Sequence, residues 1–108
     1  MSRSEKLRQL LEKEPDDAFL NYGLAMELVK EERIDEALER FDRVIQLDPC
    51  DTAAHFHKGN TLIGLQRFDE AQSVLEAGLA AARNNGNAHA ESEIQELLDS
   101  IPYNPGRM

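Results

Sequence analysis

Apolar residues recur at the spacing of an α-helix in successive stretches of the chain, and segments rich in Pro, Gly, Asn or Asp separate these stretches. The first stretch, over 2–14, has leucines on one face only. The last, over 87–101, has the same one-sided pattern with acidic residues on the outside, and Pro102 ends it. The pattern therefore predicts an all-α chain of about six helices, followed by an extended tail over 102–108.

The second stretch, from Ala18 to Glu31, carries apolar side chains on two faces. Leu20, Leu24 and Leu28 share one face, and Phe19, Tyr22, Met26 and Val29 share the other. A helix that is apolar nearly all round is normally buried all round. In a short array only one side is guaranteed a neighbouring helix, so the second face is expected to contact something else.

Two sequence landmarks repeat after thirty-four residues. The run Arg-Ile-Asp-Glu-Ala at 33–37 returns as Arg-Phe-Asp-Glu-Ala at 67–71, and Pro15 and Asp17 return as Pro49 and Asp51. Repeats of this length usually indicate stacked helix pairs. The acidic residues favour the start of a helix through its dipole, and the alanine that follows them allows two helices to cross closely.

The repeated residues resemble the tetratricopeptide repeat, a helical hairpin of this period. The resemblance implies a right-handed superhelical stack of antiparallel helix pairs in a single domain over 1–101. Its parts would be an amino-terminal half-repeat over 2–14, repeats over 18–51 and 52–85, and a carboxy-terminal capping helix over 87–101. The matching residues are Ala25, Leu28, Ala37, Phe41, Pro49, Gly59, Leu62, Ala71 and Leu75, and the departures are Asn21, His55, Lys58 and Arg83.

In tetratricopeptide arrays the first helix of each pair lines a concave groove that holds a peptide or a helix of a partner. The resemblance places that groove on Phe19, Tyr22, Met26, Val29 and Lys30 of the first repeat and on Ala53, Phe56, His57, Asn60 and Ile63 of the second. Some members of the family grip a terminal carboxylate with Lys, Arg and Asn side chains. Here only Asn60 and Lys30 are of that kind, so a carboxylate clamp is not expected.

The formal charge of -9 disfavours nucleic acid and anionic membrane surfaces as partners. It favours either solubility alone or a partner protein with basic flanks near its contact surface. Cys50 is the only cysteine, which excludes an internal disulfide and is simplest to interpret as a cytoplasmic setting. No apolar run reaches the roughly twenty residues that span a bilayer.

The sequence offers no candidate catalytic, cofactor or metal site. His55 and His57 lie two residues apart, about 200° around a helix, and cannot hold one metal on a shared face. Cys50 has no clear neighbouring base, and glycine-rich phosphate loops and nucleophile elbows are absent from the sequence. The helix-start position of the Asp-Glu pairs explains them without acid-base chemistry.

Three functions therefore compete. A non-catalytic binding module or scaffold would take a peptide or helix of another protein in the groove. A self-assembly module would form a homodimer through the same apolar surface, through a terminal helix, or with the tail folded into the groove. An enzyme would need a polar pocket with a base, and the sequence supplies none. We predict the first of these functions, a binding module. The sequence does not identify the partner.

Overall fold

The computed structural model describes residues 1–103, and within that range the chain forms six α-helices and no β-strand. They are α1 (Arg3–Lys13), α2 (Ala18–Lys30), α3 (Ile34–Leu47), α4 (Thr52–Gly64), α5 (Phe68–Asn84) and α6 (Ala88–Ser100). The prediction of an all-α fold with about six helices is confirmed. None of these helices is long and apolar enough to cross a membrane. Of the tail predicted over 102–108, residues 104–108 lie outside the described part.

Short polar side chains start four of the helices, because their oxygens accept hydrogen bonds from backbone N–H groups that have no partner within the helix. Ser2 caps α1 in this way, through the N–H of Glu5 at 3.1 Å. The caps of α2, α4 and α6 are Asp17, Asp51 and Asn87, each bonded to the N–H three residues later at 2.9 to 3.0 Å.

Three helices end in the same backbone turn, at Glu32, Gln66 and Gly86, whose φ angles are 60°, 60° and 65°. The next N–H in the chain then donates to a carbonyl five residues earlier, as from Arg33 to Leu28 at 2.9 Å and from Arg67 to Leu62 at 2.9 Å. Each turn reverses the chain within a few residues. The turns therefore set α2 against α3, α4 against α5, and α5 against α6 as antiparallel neighbours.

The acidic pairs lie in the first turns of α3 and α5, as predicted, and arginines hold one member of each pair. Glu36 pairs with Arg33 at 3.1 Å and with Arg8 of α1 at 2.5 Å. The hydrogen bond from Arg8 lowers the pKa of Glu36 below its ordinary value. Glu70 accepts two hydrogen bonds from Arg67, at 2.9 and 2.7 Å. Helix start and ion pairing thus explain both glutamates.

The first of two compact units covers residues 1–49 and contains α1, α2 and α3. Its core joins Leu7 and Leu11 of α1 to Leu24 and Leu28 of α2 and Ala37 of α3. The leucine face of α2 is therefore the face that packs inside this unit. The organisation predicted over 1–101, as one domain with a half-repeat, two repeats and a capping helix, stays a prediction.

A buried asparagine links the start of α2 to α3. Asn21 is fully enclosed, and its Nδ2 donates to the carbonyls of Pro15 at 3.1 Å and Asp17 at 2.9 Å. Its Oδ1 accepts from Arg40 Nη1 at 3.1 Å. Asn21, one of the departures from the repeat pattern, is thus a buried polar group whose hydrogen bonds are satisfied, as burial requires.

The second unit begins at Cys50 and contains α4, α5 and α6. Two glycines bring its helices together. A Cβ on Gly59 of α4 would lie 2.3 Å from Leu75 Cδ2 of α5, and a Cβ on Gly78 of α5 would lie 2.6 Å from His55 Cβ of α4. The same Cβ on Gly78 would lie 3.2 Å from Ile94 Cδ1 of α6. Gly78 is therefore the point where all three helices of the unit meet.

Candidate partner-binding site

A cavity of about 310 Å³ opens between α4 and α6 in the second unit. It lies between the first turns of the two helices, which Asp51 and Asn87 cap. Gly78 of α5 lies against both helices, where a side chain would not fit. The residues that line the cavity are Thr52, Ala53, Phe56, His57, Asn87, His89, Ala90, Glu93 and Ile94.

The floor of the cavity is apolar. Ile94 is fully buried and Ala90 nearly so, whereas Phe56 is half-buried and Ala53 is exposed. The Phe56 ring meets the ring of His57 edge to face, with centroids 5.1 Å apart. Such an edge-to-face pair stabilises the orientation of both rings, in addition to the stabilisation that comes from their buried area. The cavity therefore presents a preformed apolar surface rather than a flat helix face.

The rim is polar and acidic. His89 Nε2 lies 3.1 Å from Glu93 Oε1, one helical turn along α6. Burial lowers the pKa of His57 below its ordinary value, and the charges of Glu93 and Asp51 only partly oppose this effect. His57 is therefore neutral at neutral pH. Among the nine lining residues there is no Lys or Arg, so Glu93 carries the charge of the site.

The structure places the sequence-predicted groove residues in both units. In the second unit Phe56 and His57 line the cavity, as does Ala53, whereas Asn60 is exposed and Ile63 half-buried farther along α4. In the first unit Phe19 and Lys30 are exposed, and Tyr22, Met26 and Val29 are half-buried. Two of these residues also contact the interior of the first unit. The rings of Tyr22 and Phe41 pack edge to face with their centroids 6.4 Å apart, and Val29 packs against the core.

The sequence analysis treated α6 only as a cap and so did not predict five cavity residues, one at the N-cap of this helix and four within it: Asn87, His89, Ala90, Glu93 and Ile94. A signal for them was present. The cap residue recurs as Asp17, Asp51 and Asn87, first after thirty-four and then after thirty-six residues. The last interval is longer because α5 has 17 residues where α3 has 14. The recurrence of the cap residue, rather than the fixed period of thirty-four residues, therefore indicates that α6 corresponds to α2 and α4, the first helices of the two repeats.

Two other cavities adjoin α6, and acidic side chains contribute to the lining of each. One of about 380 Å³ lies between α5 and the end of α6, and it includes Glu76, Asp99 and the exposed Tyr103. The other, of about 540 Å³, lies on the outer face of α6 along Glu91, Gln95 and Glu96. Within residues 1–103 no group of three His, Cys, Asp or Glu side chains is placed to hold a metal ion.

Comparison with known proteins identifies the repeat. The family model described as "Tetratricopeptide repeat" matches residues 28–92, more than half of the chain. A TPR repeat-containing protein of Pseudomonas aeruginosa is 29% identical over 97 residues, which are 90% of this chain and 92% of that protein. The Hsp70-Hsp90 organising protein of Plasmodium falciparum is 34% identical over 65 residues, 60% of this chain. The chain spans only 11% of that relative's length.

A solved structure agrees with the sequence relatives. The tetratricopeptide repeat domain protein of Salinibacter ruber, determined by NMR in solution, is 30% identical and superposes with a TM-score of 0.75. The match covers 81% of this chain and 88% of that one. Repeat length, antiparallel helix pairs, family match and structural likeness all agree, and the chain belongs to the tetratricopeptide repeat family.

Proposed function

We propose that this protein is a non-catalytic interaction module that binds a segment of a partner polypeptide, as a peptide or a helix, on the surfaces of its first helices. The observation that carries the proposal is the cavity between α4 and α6, with its apolar floor of Phe56, Ala90 and Ile94. Concave, mostly apolar sites with a few polar groups at the rim are the usual form of a binding site.

The cavity is large enough to hold one side chain of a ligand. A water molecule in the liquid occupies about 30 Å³, and an engineered apolar cavity of about 150 Å³ in another protein binds benzene. The volume here, about 310 Å³, exceeds both. A leucine, isoleucine or phenylalanine side chain from a partner would fit in it and cover the part of Phe56 that is otherwise exposed to water.

The first unit offers a second surface for the same role. Phe19 at the start of α2 is 80% exposed, and Tyr22 and Met26 follow it at helical spacing. A large apolar side chain exposed to this degree gains from contact with a partner, and Met adapts to ligands of different shape. We include Val29 and Lys30 of the predicted groove in this surface, with Val29 contributing mainly to packing inside its own unit.

The family and the relatives support this function. Tetratricopeptide repeats serve in protein–protein interaction, and the Plasmodium falciparum relative is named for organising Hsp70 and Hsp90. The proposal for this chain is a partner protein or peptide of unspecified identity, and basic flanks on that partner follow from the acidic charge of the chain.

A blocking substitution tests the proposal. Ala53 is exposed at the mouth of the cavity, so Ala53→Leu fills the space with little effect on the core. Peptides selected from a random display library on the unmodified protein should lose about tenfold or more in affinity for Ala53→Leu. Ala80→Leu, at an exposed position of α5 that does not line the cavity, is the matched control and should bind them unchanged.

The proposal fails if the library yields no binder, or if the selected peptides bind Ala53→Leu and Ala80→Leu equally well. Self-assembly into a homodimer is the competing function, and sedimentation over a concentration series separates the two. A monomer at all concentrations favours the binding module. The outer face of α6 argues in the same direction, because its Glu96 and Asp99 would repel the same face of a second copy.

A further inference from the structure

The charges around the α4–α6 cavity determine which ligands suit it. Glu93 is the only Asp, Glu, Lys or Arg among the lining residues, and its side chain is 48% exposed. Asp51 lies close enough for its charge to act on His57 as well. The cavity mouth therefore combines an apolar floor with a negative rim.

Two cations of this unit, Lys58 and Arg83, interact with carboxylates outside the cavity lining. On α4, Lys58 acts on Glu70 at the start of α5, where the hydrogen bond from Arg67 and, to a smaller extent, the charge of Lys58 lower the pKa of Glu70. At the end of α5, Arg83 Nε bonds Glu91 Oε2 at 3.1 Å. Neither cation lines the cavity, so Glu93 has no arginine or lysine in the lining to neutralise it.

His89 lies beside Glu93, at the position where a cation of the ligand would pair with this carboxylate. Its Nε2 lies 3.1 Å from Glu93 Oε1, yet the imidazole itself is 85% exposed. A pair this exposed to solvent contributes little, whereas an incoming ammonium or guanidinium group carries a full charge and forms a charge-assisted hydrogen bond with the carboxylate. The Glu93 carboxylate is therefore available to a stronger partner.

We propose that the α4–α6 cavity accepts an apolar side chain whose neighbour in the ligand is Lys or Arg, that this cation pairs with Glu93, and that acidic segments and terminal carboxylates are disfavoured there. The inference rests on the proposed function and names the ligand chemistry of the same site. A cavity with this chemistry selects a partner whose charge complements the acidic rim.

Short acetylated and amidated synthetic peptides test the inference. Each has one central leucine, flanked on both sides by lysine, by glutamine or by glutamate, and a fourth peptide replaces the leucine of the lysine form by serine. Affinities are measured by NMR titration of the isotope-labelled chain, with the amides of Phe56, Ala90 and Ile94 as reporters. The affinity should fall from the lysine to the glutamine to the glutamate form, and the serine form should not bind.

Two glutamine variants on α6 locate the charge effect. Glu93→Gln should weaken the lysine-flanked peptide by about two- to fivefold, the range of a half-exposed ion pair, and leave the glutamine-flanked peptide unchanged. Glu96→Gln removes the same charge from the outer face of α6 and is the matched control. It should change neither affinity by more than the experimental error.

The outcomes separate the inference from the function on which it rests. If the glutamate-flanked peptide binds as well as the lysine form or better, or if Glu96→Gln matches Glu93→Gln, the inference is wrong while a binding cavity remains. If no leucine peptide shifts the cavity amides, the proposed function fails as well. If those amides shift when the protein alone is concentrated, a second copy is the occupant, and the inference is overturned.

Discussion

Replacing Gly59 by alanine tests how closely α4 and α5 cross. A Cβ at this position would lie 2.3 Å from Leu75 Cδ2 and 2.5 Å from Leu75 Cγ, and Leu75 is fully buried. Real Cβ atoms do not approach other carbons so closely, so Leu75 has to leave its position or the two helices have to separate. Either response disturbs the hairpin of the second repeat.

The magnitude follows from two opposing terms. Overpacking a close-packed core costs typically 1 to 3 kcal/mol. Alanine in place of glycine in a helix returns about 1 kcal/mol through backbone entropy. Gly59→Ala should therefore lower the free energy of unfolding by roughly 0 to 2 kcal/mol. Gly64, in the last turn of the same helix, has no atom within 4 Å of an added Cβ. Gly64→Ala should be neutral or stabilising by up to about 1 kcal/mol.

Urea unfolding followed by far-UV circular dichroism measures the difference. The midpoint for Gly59→Ala should lie below that for Gly64→Ala, because the two variants share the helix-propensity term and differ in the clash. A double-mutant cycle adds a second criterion: Leu75→Ala makes room, so it should cost less in the Gly59→Ala background than alone. Additive effects, or a Gly59→Ala variant as stable as Gly64→Ala, would refute the close crossing.

Three further predictions concern stability, and urea unfolding measures each of them. Asn21→Leu should cost about 2 to 3 kcal/mol, because it removes the side-chain hydrogen bonds to Arg40 Nη1 and to the Pro15 carbonyl, while the Asp17 carbonyl keeps its bond from the backbone N–H of residue 21; a loss well under 1 kcal/mol would contradict this. The folded pKa of Glu36 is lowered by Arg8, so its contribution is complete above the ordinary glutamate pKa of about 4.3 and is lost as pH falls through the lower folded value. Glu36→Gln should flatten that acid decline, and an equally steep decline would show that the ion pairs of Glu36 with Arg8 and Arg33 do not stabilise the fold. Ala71→Leu should cost about 1 to 3 kcal/mol at a fully buried position; an unchanged midpoint would show that the helix register is wrong.

Local signals in the sequence were sufficient to predict most of the fold. The run at 33–37 that recurs at 67–71 marks the starts of α3 and α5. Asp17 and Asp51, which recur with the same period, cap α2 and α4 as predicted. These features depend on residues within one turn of each other. Such short-range interactions are independent of how the rest of the chain packs, and for that reason the sequence alone was sufficient to predict them.

The candidate site was only half predictable. Phe56 and His57 follow from the repeat, since they lie on the first helix of the second pair. Ala90 and Glu93 do not, because the greater length of α5 shifts α6 out of the fixed period. The cavity also depends on how α4 and α6 pack against α5, where Gly78 lies close to His55 and Ile94, residues distant from it in sequence.

Side-chain partners were the least predictable feature. Asn21 and His55 were recognised as departures from the repeat, but their polar contacts were not. Asn21 bonds Arg40 of α3, and His55 Nδ1 lies 2.8 Å from the carbonyl of Asp51. Each of these contacts depends on one rotamer in a packed environment, which residue spacing does not determine.

The most direct test of the proposed binding role is an NMR map of a library-selected peptide on the isotope-labelled protein. If the α4–α6 cavity is the site, the largest shifts fall on Phe56, Ala90 and Ile94, and Ala53→Leu abolishes them. Shifts that fall instead on the exposed face of α5, or that persist in Ala53→Leu, would contradict the account.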